Sequence, residues 1–175
     1  MKKETGRKII ILGCPGSGKS TLAIQLAEKT GLPLVHLDQL WWKEDRSHIS
    51  RPEFDRKLAE ILQAESWIID GDYSRTYEVR FQNCDTVIFL DYPEQLCLNG
   101  IRNRVGTFRT DLPWIDEQLD PALVERVERY RQEKRPEIYR LMKKYPDRRT
   151  VIFHTRKAAA RWLAELDEVN YEEDN

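Results

Sequence analysis

Eight consecutive residues constrain this chain more than any others: Gly13-Cys14-Pro15-Gly16-Ser17-Gly18-Lys19-Ser20. An apolar run at 7–12 precedes them and reads as a buried strand, and a helical stretch at 20–29, closed by Gly31, follows. Strand, glycine-rich turn and helix in that order form the setting of the phosphate-binding loop G-x-x-x-x-G-K-S. Glycines let backbone N–H groups turn inward around phosphate oxygens, and the helix N-terminus adds partial positive charge. Gly13, Pro15, Gly16, Ser17, Gly18, Lys19, Ser20 and Thr21 are therefore the candidate nucleotide-binding residues. Lys19 supplies a point charge for β- and γ-phosphates, and the Ser20 hydroxyl suits Mg²⁺.

The rest of the chain alternates. Short apolar runs at 34–38, 67–71, 86–91 and 150–154 read as strands, and stretches at about 51–64, 93–104 and 155–166 read as helices. Ser50-Arg51-Pro52-Glu53 is a capping box with proline just inside the helix. Strands that are continuously apolar and separated by helices imply an α/β fold with a parallel sheet covered on both faces. At 175 residues the expectation is one domain spanning 1–175. A region at about 105–145 breaks the alternation, with no clear period at 105–120 and an arginine-rich helical stretch at 121–145 interrupted by Pro136. An insertion at that point reads as a lid. The tail 168–175 is acidic and reads as frayed.

Charge narrows the partners. A formal charge of −1 argues against bulk nucleic-acid affinity, although a basic patch in the lid region leaves local contact with nucleic acid as a second reading. Three cysteines, Cys14, Cys84 and Cys97, have no metal-like spacing and do not make a disulfide framework. With neither a leader nor an apolar run of transmembrane length, the expected location is the cytoplasm, with no membrane partner. Oligomeric state is left open.

Ligands of open parallel sheets gather at the carboxyl ends of the strands, where Asp38, Asp70 and Asp91 fall. Asp70, after three apolar residues, reads as a metal-binding aspartate, with a chain-turning role before Gly71 as the alternative. Asp38 reads equally as a base toward an acceptor hydroxyl or as a turn aspartate. Asp91 reads as a strand terminator. Phosphoryl transfer needs positive charge around the migrating oxygens. Arg104, helped by Arg102, is the candidate for that role, and Arg75 and Arg80 are candidates for holding the acceptor. Trp41 suits stacking on a flat substrate, although packing against the sheet fits Trp41 and Trp42 as well. His36 and His154 read as core histidines.

With those residues in place, the chain resembles the P-loop nucleoside-monophosphate-kinase-like superfamily and, within it, the bacterial topology modulation (FlaR-like) group of adenylate-kinase-related proteins. Gly13 to Thr21 is close to the adenylate-kinase loop, while His36-Leu37-Asp38 and Trp67 to Ser74 look particular to the FlaR-like group. The resemblance implies a five-stranded parallel sheet of order 2-3-1-4-5 with a lid after strand 4. It also aligns Arg104 with a lid-hinge arginine that contacts the transferred phosphate. Two departures argue against AMP as acceptor. Gly100 falls where those enzymes carry an adenine-packing arginine; mid-helix glycine costs about 1 kcal/mol relative to alanine, so close packing is its alternative explanation. Ser74 falls where they carry the arginine that grips the AMP phosphate.

The resulting expectation is a Mg²⁺- and ATP-dependent phosphotransferase for a small acceptor, with a nucleotide or nucleoside favoured. The alternative is a nucleotide-dependent regulatory or DNA-associated protein, as the group's name suggests. The lack of an Asn/Thr-Lys-x-Asp guanine signature favours ATP over GTP.

Overall fold

A computed structural model describes residues 6–166. The acidic tail read as frayed lies outside the described residues. Five parallel strands, β1 (Lys8–Gly13), β2 (Leu34–His36), β3 (Trp67–Asp70), β4 (Thr86–Leu90) and β5 (Arg149–Phe153), form one sheet of order β2-β3-β1-β4-β5. That is the order the family resemblance implied. β1 lies in the centre, with Ile10 paired to Ile69 on one side and to Val87 on the other. Ile9, Ile10, Ile11 and Leu12 are fully buried, as are Ile68, Ile69, Val87, Ile88 and Phe89, so the central strands are covered on both faces.

The helices are α1 (Lys19–Thr30), α2 (Leu37–Trp41), α3 (Arg51–Gln63), α4 (Tyr77–Asn83), α5 (Glu94–Asn103), α6 (Pro121–Glu133), α7 (Arg135–Lys144) and α8 (Arg156–Ala164). Their ends follow local chemistry. Gly31 adopts a left-handed conformation (φ 68°) and closes α1 through its N–H to the Ala27 carbonyl. Ser50 accepts a hydrogen bond from Glu53 N, and Thr155 from Ala158 N. Pro136 separates α6 from α7, as its missing N–H requires. Val127, Ile138 and Leu141 of these two helices are fully buried in the common core.

Three local expectations change. β2 stops at His36, and the chain turns at once into α2; the fully buried Leu37 side chain fills the space left by the missing Cβ of Gly71. Asp38 thus sits in the first turn of a short helix rather than on a strand. The stretch after β3 holds a 3₁₀ turn (Ser74–Thr76) and α4, both unexpected from sequence. His154 lies just past β5 with its side chain 67% exposed, so it is not a core histidine. Asp91 ends β4 as expected, and it also fastens α7: Arg135 donates to it at 2.7 and 2.9 Å and the Tyr139 hydroxyl at 2.7 Å.

Two contacts position the loops that matter below. Arg80 of α4 is wholly buried and donates to the Gly71 carbonyl (3.0 Å), the Asp72 carbonyl (2.5 Å) and Thr76 Oγ1 (3.0 Å). Its charge is thus spent on the backbone that leaves β3. Gly16 of the glycine loop meets Gly100 of α5 backbone to backbone: a Cβ on Gly100 would run into the Gly16 carbonyl, and one on Gly16 into the Cys97 carbonyl. Close packing, not an absent arginine, accounts for Gly100.

Arg80→Met strips donors from buried carbonyl groups and is expected to destabilise the fold by about 2–4 kcal/mol, read as a lower urea midpoint at unchanged slope. Gly100→Ala, which in an open helix would gain about 1 kcal/mol, is expected to lower the melting temperature instead. A rise would show that α5 can move off the loop freely.

Candidate active site

β1 delivers Gly13 to the carboxyl edge of the sheet, where the chain wraps into the glycine-rich loop. Gly16 (φ 83°) and Gly18 (φ 94°) take left-handed conformations that side chains disfavour. Ser17 N donates to the Cys14 carbonyl at 3.0 Å, and the Lys19 amine reaches the same carbonyl at 3.2 Å. Gly18 is the N-cap of α1 and has no side-chain cap, which leaves the first-turn N–H groups of that helix facing the cleft. Ser17 Oγ is buried without a hydrogen-bond partner among the described residues. A loop of inward-curving glycines, an uncapped helix N-terminus and an unpartnered buried hydroxyl fit a polyphosphate.

The loop opens onto a cleft of about 1370 Å³. Asp38, Trp41 and Arg104 line the same cleft as Lys19 and Ser20, so the structure brings these predicted residues together, and Tyr73 lies among them. Asp38 is half-buried and accepts a hydrogen bond from the Tyr73 hydroxyl at 2.7 Å. Burial raises its pKa above the usual carboxylate value, and the nearby charges of Asp111 and Asp70 add to the rise against Tyr73 and Lys19. Tyr73 itself has φ 35°, a strained setting for a non-glycine residue, and its ring stacks on Phe54 at 5.2 Å. Trp41 is stacked on His48 (4.3 Å) and meets Phe54 and Tyr73 edge-on, so the packing reading holds for much of its surface even though it borders the cleft.

Asp70 closes β3 with 3% exposure. One oxygen pairs with His36 Nδ1 at 2.8 Å; the other, Oδ2, is buried with no partner among the described residues. Burial alone would lower the pKa of His36, but the hydrogen bond and charge of Asp70 outweigh it and raise the pKa. Asp70 is not among the residues that line the cleft, but an orphaned buried carboxylate oxygen at the carboxyl end of β3 suits a cation. Among the described residues no three His, Cys, Asp or Glu side chains converge as a metal cage. The donor set therefore suits Mg²⁺, which keeps waters and phosphate oxygens in its shell and takes few protein ligands.

Arg104 is half-buried at the end of α5, and its Nε lacks a partner among the described residues. Burial, then the neighbouring Arg109 charge, pushes its pKa down to about 10, still leaving a cation at neutral pH. The other predicted arginines lie outside the cleft. Arg102 is exposed and reaches only Asn99 of its own helix at 3.4 Å. Arg75 forks onto Asp55 of α3 with two bonds of 2.8 Å. Arg80 is the buried backbone clamp described above. These three turn away from the cleft, while Arg104 borders it.

Three further residues join the site that sequence reading did not select. Tyr73 lies in the segment 67–74 but gave no chemical signal of its own. Trp114 and Asp111 come from the aperiodic segment 105–120. Trp114 meets Trp42 edge-on at 5.6 Å and has the Arg46 guanidinium 5.5 Å over its ring. Asp111 is 3% exposed, accepts from Ser20 Oγ at 2.9 Å, and is held by the Arg109 fork. Burial works against its charge, but the bonds and charge of Arg109 outweigh burial and keep its pKa low. All three cysteines are buried and free. No helix among the described residues is long and apolar enough to cross a membrane.

No protein-family model matches the chain, and no curated protein does. Solved structures do. A shikimate kinase from Acinetobacter baumannii in complex with shikimate aligns with TM-score 0.60 at 17% identity, over 91% of this chain and 92% of that one. An unliganded sugar kinase from Janibacter sp. HTCC2649 aligns with TM-score 0.55 at 20% identity, over 94% and 96%. A gluconokinase from Sinorhizobium meliloti 1021 aligns with TM-score 0.53 at 18% identity, over 94% and 91%. Such likenesses establish the fold alone: the chain shares the α/β architecture of these solved structures, with a five-stranded parallel sheet of order 2-3-1-4-5.

Proposed function

We propose that this chain is a Mg²⁺- and ATP-dependent phosphotransferase that phosphorylates a hydroxyl of a small acceptor. The observation that carries the reading is a single cleft with the glycine loop on one wall and the Asp38–Tyr73 pair on the other, overhung by Arg104. The named activities of the similar structures, on shikimate, a sugar and gluconate, support a small-molecule acceptor. The resemblance to the FlaR-like group, carried by residues 36–38 and 67–74, is part of this proposal.

In this reading the loop N–H groups and the α1 N-terminus bind the β- and γ-phosphates, and Lys19 leaves the Cys14 carbonyl to meet them. Ser20 and Asp70 would hold Mg²⁺, which when bound screens phosphate charge. Asp38 takes the proton of the acceptor hydroxyl; its raised pKa makes it a better base than an exposed aspartate, and Tyr73 fixes its orientation. Arg104 balances charge on the migrating oxygens.

Trp41, Trp42 and Trp114 give the acceptor wall flat apolar faces that suit a nucleobase or the C–H face of a sugar ring. With Arg75 and Arg80 engaged elsewhere, any grip on an acceptor phosphate falls to other cations that line the cleft, Arg46, Arg126 and Lys134 among them.

ATP consumption, assayed against nucleosides, nucleoside monophosphates, sugars and sugar acids, tests this. One class should raise the rate above the acceptor-free control. Lys19→Ala is expected to lower kcat by at least about 10²-fold with the melting curve intact; a turning-over Lys19→Ala protein would sink the assignment. Asp38→Asn should cost about 10²–10⁴-fold in kcat with a smaller effect on KM. In the unaltered protein kcat/KM should fall, as pH drops, at a pH above the usual aspartate range, because the active form of Asp38 is its carboxylate. An acid limb at the ordinary value would assign the base elsewhere.

A further inference from the structure

The segment 105–120 touches both walls of the cleft. On the donor side Asp111 accepts the Ser20 hydroxyl at 2.9 Å and Arg109 Nε at 3.0 Å. On the acceptor side Gln39 Nε2 donates to the Thr110 carbonyl, and Trp114 packs edge-on against Trp42. The segment is braced internally by Gly106 N on the Asp116 carbonyl (2.7 Å) and Trp114 Nε1 on Asp116 Oδ1 (2.9 Å).

The Ser20 contact has a directional consequence. A serine hydroxyl has one proton and two lone pairs. With the proton committed to Asp111, both lone pairs turn away from that carboxylate and become available to a cation. A carboxylate that fixes a ligand in this way also raises its basicity, as outer-shell partners do at metal sites. Asp111 is buried and clamped by Arg109, so its direction is set by the lid and not by solvent.

We propose that Asp111 is a lid-borne positioning residue for the metal end of the phosphate-binding loop: it orients Ser20 toward Mg²⁺, so that metal binding and closure of segment 105–120 are one event. The proposal rests on the phosphotransferase reading and deepens it. Asp111 acts through Ser20 and touches no reacting atom. Because the same segment carries Trp114 onto Trp42, arrival of the metal nucleotide on the donor side is felt at the acceptor wall.

Affinity for a non-hydrolysable ATP analogue, AMP-PNP, measured by calorimetry with Mg²⁺ and with EDTA, tests this without turnover. In the unaltered protein Mg²⁺ should tighten binding. Asp111→Ala should shrink that gain by roughly 10–100-fold and leave the EDTA affinity unchanged. Asp111→Asn, which still accepts the Ser20 proton, should recover part of it, and serves should the alanine variant fold poorly. In a Ser20→Ala background, Asp111→Ala should have no further effect on the gain. An undiminished Mg²⁺ gain in Asp111→Ala would reduce the contact to lid packing and overturn the proposal. Tighter binding in both buffers would overturn it by making Asp111 an inhibitory latch. If the unaltered protein binds AMP-PNP in neither buffer, the phosphotransferase reading fails and this proposal with it.

Discussion

The contact between Gly16 and Gly100 sets the geometry on which the cleft depends. It fixes the glycine loop against α5 at a separation that no side chain on either residue would allow. α5 continues to Asn103, where Arg104 caps it and segment 105–120 follows. The distance from loop to the start of that segment is therefore a backbone dimension, insensitive to side-chain motion. Ile101 packs against Gly16 from the same helix, and the buried Cys97 lies one turn earlier. A helix that could slide on the loop would carry Arg104 with it, and interior packing resists sliding.

Electrostatics supplies the second constraint. Asp38, Asp70 and Asp111 lie close enough for Asp38 to feel both of the others, and together they share the neighbourhood with Lys19. Each carboxylate has a different environment. Arg109 keeps Asp111 charged, His36 pairs with Asp70 at the buried end of β3, and burial beside two like charges raises the pKa of Asp38.

The parallel sheet, the glycine loop and the strand-end carboxylates were legible in the sequence because they depend on local signals: continuous apolar runs, glycine spacing and capping residues; the order of the strands came from the family resemblance alone. Other features were not. α4 escaped because its core-facing side includes Arg80, a charged residue where the apolar period calls for a hydrophobe; only the carbonyl groups of 71–72, brought round by the turn, explain its burial. Arg75 escaped for the opposite reason: its partner Asp55 sits on α3, 20 residues earlier, and adjacency in space is not written in spacing. Asp111 lies in a segment without period, 91 residues from the hydroxyl it binds, so no local pattern marks it. Asp38 was found despite a mistaken element, since the end of β2 and the first turn of α2 both lie at the same edge of the sheet.

The central claim is that the cleft moves a phosphoryl group from nucleotide to hydroxyl. Following the γ-phosphorus of ATP by ³¹P NMR, in the presence of Mg²⁺ and a pooled set of small hydroxylated metabolites, reads that event directly. The account predicts loss of the γ-resonance with matching growth of a phosphate-ester signal, and neither change when Mg²⁺ is chelated. Release of inorganic phosphate alone, or no loss of ATP with any pool, would contradict it.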